Sequence, residues 1–191
     1  MSASPAEGPG PMAATRARRR FVGILVGTLF ALSVLRLAGF VVRFGEESVQ
    51  ADFAAFYTAG EAVRHGVSPY RTHADDDPPI WDGVDTYQHS RFLYPPPVAA
   101  LFRPVAALPY ALAKRLWMLV SLLCLALSMA TALRAVGLKP DRDALLATGA
   151  FVCLFHPLLT LLERGQIDAL TLALILWALR PMVARGRERL G

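Results

Sequence analysis

Residues 16–45 read RARRRFVGILVGTLFALSVLRLAGFVVRFG. Four arginines (Arg16, Arg18, Arg19 and Arg20) give way at Phe21 to a run in which Arg36 is the first charge. A helix rises about 1.5 Å per residue, so a span over 21–43 covers roughly 33 Å, enough to cross a bilayer core. A secretory signal peptide has a shorter apolar core followed by small residues at a cleavage site. Here VVRFGEE follows, at 41–47, and the segment reads as an uncleaved span.

The rest of the chain agrees with that reading. Of 191 residues, 54% are hydrophobic and 18% charged, and the mean hydropathy is +0.40. A soluble domain of this length carries more charge and fewer long apolar runs. The formal charge of +5 does not mark a nucleic-acid binder, because the basic residues gather at the ends of apolar runs. No nucleic-acid partner is expected, and membrane lipids are. Cys124 and Cys153 both fall inside apolar runs and read as small buried hydrophobes rather than a disulfide or metal pair.

Three further spans are expected, at 116–133, 144–162 and 167–184, giving an all-α integral membrane protein. Residues 1–20, rich in Pro, Gly and Ala before the arginines, are expected to be an unstructured cytoplasmic tail. Residues 185–191 form the other cytoplasmic end, where the chain reads as truncated. With the N-terminus inside, the inner segments 1–20, 134–143 and 180–191 hold 11 Lys and Arg. The much longer outer segment 43–115 holds 7, against 9 acids. That is the asymmetry of the positive-inside rule. It places both the loop 44–115 and the short turn Glu163-Arg164-Gly165-Gln166 on the extracytoplasmic side of a plasma-membrane protein. The turn makes spans three and four an antiparallel hairpin.

A loop of this length is too long to be a simple connector. ADFAAFYTAGEAVRHG, at 51–66, has apolar residues at 53, 56, 57, 60 and 63, the spacing of a helix. Asp52 falls at its expected N-cap and Gly66 at its stop. Ser68-Pro69-Tyr70 reads as a turn. RFLYPPPVAALFRPVAALPY, at 91–110, is interrupted by five prolines and cannot be a regular span. It is expected to lie in the interface or to re-enter shallowly, with Phe92, Tyr94 and Phe102 at headgroup depth.

Several residues have a structural and a functional reading. An N-cap carboxylate accepts backbone N–H bonds and stays ionised in the helix dipole. An ionised, oriented carboxylate beside rings that stack on sugars also suits a general base. Tyr94-Pro95-Pro96-Pro97 is a rigid turn or a stiff wall of a lipid groove. Arg164 and Gln166 belong to a tight turn, or bind a phosphate or a sugar. Asp168, one turn into an apolar segment, needs a partner or water, and Arg36 either snorkels to a lipid phosphate or serves function. His156-Pro157 reads as a helix kink. Asp75, Asp76 and Asp77 read as solvated loop, and His65, His73 and His89 lack the spacing of a zinc helix. With no P-loop or dinucleotide fingerprint either, no metal and no cofactor are expected.

Asp52-Phe53, Phe56-Tyr57, Gly66 with Pro69-Tyr70, Phe92 with Tyr94-Pro95-Pro96, and Gly165-Gln166 together resemble glycosyltransferase family 87. That family comprises polyprenyl-phosphate-mannose-dependent α-1,2-mannosyltransferases. The resemblance implies a GT-C-like multi-span helical bundle whose large first extracytoplasmic loop contains short helices. It implies Asp52 as catalytic base. Phe56, Tyr57, Tyr70, Tyr94, Arg164 and Gln166 are the candidate substrate-binding residues beside it. The partners are a lipid-linked sugar donor and a glycolipid or glycan acceptor. The match covers the N-terminal half of a longer family member, and Asp168 stands where the family usually has Asn. A monophosphate leaving group needs only one cation to stabilise it, and an outer arginine supplies that. The competing readings are an inactive truncated fragment and a non-enzymatic membrane protein. A transporter, which places polar groups in mid-span, fits less well.

Overall fold

The computed structural model describes residues 11–46, 50–71, 91–136 and 140–188, and among them all regular structure is helical. The helices are α1 (Pro11–Glu46), α2 (Ala51–Arg64), α3 (Pro96–Phe102), α4 (Tyr110–Val136), α5 (Arg142–Leu154), α6 (His156–Arg164) and α7 (Asp168–Glu188), with a 3-10 turn at Val105–Ala107. Two of them are long and apolar enough to cross a membrane, over Thr15–Glu46 and Tyr110–Ala135. The pair α5 and α6 makes a third if it counts as one span. Leu25, Leu32 and Leu35 on α1 and Leu119, Leu123 and Leu127 on α4 are exposed, a surface suited to lipid rather than water.

One sequence expectation changes here and another is met. The tail 1–20 is not unstructured over its second half, because α1 begins at Pro11; residues 1–10 lie outside the described residues. Arg16, Ala17, Arg18, Arg19 and Arg20 are all good helix formers, and they extend the span as a continuous helix. The segment 144–162 bends where the kink was expected: the helix breaks at Phe155, whose backbone is extended (φ −68°, ψ 111°), and α5 and α6 differ in direction by 52°. Pro157 explains the break, since its ring blocks the carbonyl of the preceding turn and it has no N–H to donate.

The chain divides into two compact units, Met1–Ala38 with Pro140–Phe155 and Gly39–Lys139 with His156–Gly191. In the first, α5 starts with Asp141 as N-cap, its carboxylate accepting from the Ala144 N–H at 2.8 Å. Gly23 faces the Asp143 carboxylate and Gly149 lies against the Phe30 ring, so α1 and α5 run in the same direction.

The second unit is built around α2. Phe53 and Phe56 are fully buried, as the helical spacing predicts. Ala54, Ala55, Thr58, Ala59, Glu61 and Ala62 are buried as well, so α2 is covered on nearly all sides. α2 packs against α3, against the 3-10 turn and against α6, while α4 packs along α7. A Cβ at Gly60 would lie 2.6 Å from the Phe102 carbonyl oxygen, and only glycine permits this approach of α2 to α3. The far end of α2 is fastened by Arg64, which donates to Glu61 at 2.6 Å and to the Ala106 carbonyl at 2.9 Å. Gly66, at φ +71°, ends the helix as expected.

Phe92 and Phe102 are core residues rather than headgroup anchors. Phe102 stacks on Phe56 with centroids 4.9 Å apart and packs on Trp117 at 4.8 Å, while Phe92 meets Phe56 edge-on. The prolines place them there. Pro96 and Pro97 open α3 at positions where a missing N–H costs nothing, and the short helix folds back over α2.

Candidate active site

α2 begins two residues earlier than the sequence reading had it. Gln50 is the N-cap, and Asp52 lies in the first turn instead of capping it. The reason is Gln50 itself. Fully buried, it donates from Nε2 to the Leu162 carbonyl at 2.7 Å, and its N–H donates to the Tyr110 hydroxyl at 3.2 Å. Asp52 still sits at the positive end of the α2 dipole.

The partner of Asp52 is Arg164, in the last turn of α6. Arg164 Nε donates to Oδ2 at 2.8 Å and Nη2 to Oδ1 at 2.9 Å, a bidentate fork. The Asp52 side chain is 16% exposed and that of Arg164 44%. Each charge suits its own helix end: a carboxylate at the N-terminus of α2, a guanidinium at the C-terminus of α6. The hydrogen bonds from Asp52 raise the Arg164 pKa further above its ordinary value, so the cation is permanent at any working pH.

The two helix ends are locked together around Gly165. It takes φ +70°, and the Gln166 N–H reaches back to the Leu161 carbonyl at 3.0 Å, the six-to-one bond of a Schellman turn. The usual second bond of that motif, to the Leu162 carbonyl, is replaced by the Gln50 side chain. Trp117 Nε1 donates to the Gly165 carbonyl at 3.0 Å. A Cβ on Gly165 would stand 2.6 Å from Phe53 Cβ and 3.0 Å from Gln50 Oε1. Gly165→Ala is therefore expected to cost about 2 kcal/mol or more, from left-handed backbone strain plus overlap. A thermal melt in detergent checks it; an unchanged melting temperature contradicts the docking described.

The remaining candidates fall on two sides of this pair. Phe56 and Tyr57 are in the core, and the Tyr57 hydroxyl is committed to the Leu108 carbonyl at 2.8 Å. Burial first, and the charge of Glu61 second, push the Tyr57 pKa up. Neither ring has a free face for a ligand; they support α2 from behind. Tyr94 and Tyr70, by contrast, are partly open to solvent, and the Tyr70 hydroxyl donates to the Tyr94 carbonyl at 2.9 Å. Burial raises the Tyr94 pKa, and the charges of Asp168 and then Asp52 raise it further. Gln166 is half-buried and Asp168 exposed, in the first turn of α7. The open face thus carries Asp52, Arg164, Tyr94 and Asp168 on a floor of buried aromatic rings. Sequence reasoning missed Gln50 and Trp117, whose bonds span 112 and 48 positions.

Among the described residues, no three His, Cys, Asp or Glu side chains converge as a metal site. Asp75, Asp76, Asp77, His73 and His89 lie outside the described residues.

Long apolar helices and a paired acid and base on an aromatic floor define a helical membrane protein with a polar site on its second unit. Residues 92–191, just over half of the chain, match glycosyltransferase family 87, and the chain belongs to that family: it is a membrane glycosyltransferase. The matched stretch contains Tyr94, Arg164, Gln166 and Asp168, and Asp52 precedes it. No curated protein and no solved structure matches the chain.

Proposed function

We propose that this glycosyltransferase moves a hexose, mannose by family resemblance, from a polyprenyl-phosphate carrier to a glycolipid or glycan acceptor. The reaction takes place at the extracytoplasmic face of the plasma membrane, in a multi-pass GT-C-like bundle whose N-terminus is cytoplasmic. The acceptor hydroxyl attacks the anomeric carbon, the bond from that carbon to the phosphate oxygen breaks, and polyprenyl phosphate leaves. The acceptor proton passes to Asp52, and the anomeric configuration inverts.

The single observation that carries this reading is the fork between Asp52 and Arg164, with Arg164 substantially exposed. A carboxylate held by an arginine is a weak base, since a neighbouring cation lowers a carboxyl pKa by about 1–3 units. The donor phosphate, a monoanionic diester of the carrier and the sugar, changes that balance. It competes for the same guanidinium geometry, and when Arg164 turns to the donor phosphate it no longer lowers the basicity of Asp52, which can then take the proton. One event thus binds the leaving group and activates the base. Tyr94 walls the site for the sugar ring, and Gln166 lies beside Arg164 in sequence.

The carrier chain has a matching apolar path. A cleft of about 260 Å³ is lined by Leu101, Val105, Leu116, Trp117, Val120 and Leu170 among others. Trp117 forms one wall of it and also holds the Gly165 carbonyl, so the cleft adjoins the turn that presents Arg164.

The test is donor choice. Membranes holding the chain are expected to transfer labelled mannose from polyprenyl-phosphate mannose and not from a nucleotide-linked mannose. Transfer from the nucleotide sugar alone would overturn the proposal.

A further inference from the structure

The first unit carries a site that the sugar-transfer reading leaves unused. An open cleft of about 790 Å³ lies between the N-terminal parts of α1 and α5. Arg19, Arg20 and Arg142 line one end of it, and Ile24, Gly27 and Ala31 line the other. Among the described residues none of the three guanidiniums takes part in an ion pair. Asp143 is the sole acid on the wall, its carboxylate 3.6 Å from where a Cβ on Gly23 would be, so the lining is cationic overall. Arg142 also opens α5.

The two kinds of lining are separated along the helix axis. From Arg19 to Ala31 the cleft runs roughly 18 Å at 1.5 Å per residue, from a basic rim into the depth of an apolar span. A free anion would use only the rim. A glycerophospholipid would use all of it, its phosphate among the arginines and an acyl chain along Ile24, Gly27 and Ala31. Gly27 leaves that path open, with no atom within 4 Å of where its Cβ would be. Basic pockets between membrane helices at the headgroup level are suited to acidic lipid headgroups.

We infer that the cleft between α1 and α5 is a binding site for the phosphate headgroup of an anionic phospholipid. The lipid comes from the leaflet at which both helices begin. It fills the gap between two helices that approach at Phe30 and Gly149, so it acts as a structural ligand of the first unit.

The test uses the purified full chain, stripped of lipid in detergent and titrated with phosphatidylglycerol, phosphatidylcholine or inorganic phosphate, with bound species read by native mass spectrometry. Phosphatidylglycerol is expected to be retained in preference to phosphatidylcholine, and inorganic phosphate is expected not to displace it. Combining Arg19→Gln, Arg20→Gln and Arg142→Gln should weaken retention roughly a hundredfold, at about fivefold per arginine. Gly27→Leu blocks the apolar end with every charge intact and should release the lipid as well. Equal retention of the two lipids, displacement by inorganic phosphate, or unchanged retention in the Gly27→Leu protein would overturn the inference.

Discussion

Asp52→Asn is expected to lower the rate of sugar transfer by about 10²–10⁴-fold, the range spanned by loss of a general base. The substitution keeps the size of the side chain and its place in the first turn of α2, and asparagine still offers Arg164 one acceptor oxygen. The fold should therefore persist, with a melting temperature close to that of the parent. The loss should appear in kcat rather than in KM for the donor, because the proton moves only in the transition state. Transfer retained within a few-fold would remove Asp52 from the chemistry.

Arg164→Gln should be nearly as damaging, about 10²–10³-fold, since the cation that meets the departing phosphate is lost. Its signature differs. The phosphate is charged before, during and after transfer, so KM for the lipid donor rises as kcat falls. Arg164→Lys restores a point charge without the fork and should recover only part of the loss. Removing Arg164 also leaves Asp52 mostly buried beside a neutral side chain, which destabilises that corner of the second unit. A melt of the Arg164→Gln protein separates that cost from the catalytic one: a loss of activity with a near-normal melt assigns Arg164 to the donor.

The sequence was most legible where the solvent dictates structure. The apolar runs behind 21–43 and 116–133 had no alternative but a membrane, and each lies within one long helix. Helix α2 was readable from the spacing of Phe53, Phe56 and Tyr57, although an amphipathic pattern gave no hint that its other face is buried too. The helix over 11–20 was masked by the Pro and Gly content of the residues before it. Phe92 and Phe102 look like interfacial anchors in a proline-rich loop, and only the fold-back of α3 onto α2 makes them core.

The site was legible as parts. Asp52 and Arg164 each stood out, one ahead of an aromatic helix and one in a short polar turn. Their union did not, because contacts 112 positions apart leave no local pattern. Gln50 shows the same limit more sharply. A glutamine before a helix is unremarkable in sequence, yet here it takes the N-cap, displaces Asp52 into the helix and fills the acceptor of a distant turn. Gly165 was read as a turn glycine, and its φ agrees, but the contact with Phe53 gives it a second reason to lack a side chain.

The account turns on an exchange: Arg164 leaves the carboxylate for the donor phosphate. The affinity of the purified chain for polyprenyl monophosphate, compared between the parent and the Asp52→Asn protein, tests it most directly. Without a competing carboxylate the variant should bind the lipid phosphate about two- to fivefold more tightly, the worth of a partly exposed ion pair, while sugar transfer is lost. Equal or weaker binding by the variant would mean that the carboxylate and the phosphate do not share Arg164, and the exchange would be wrong.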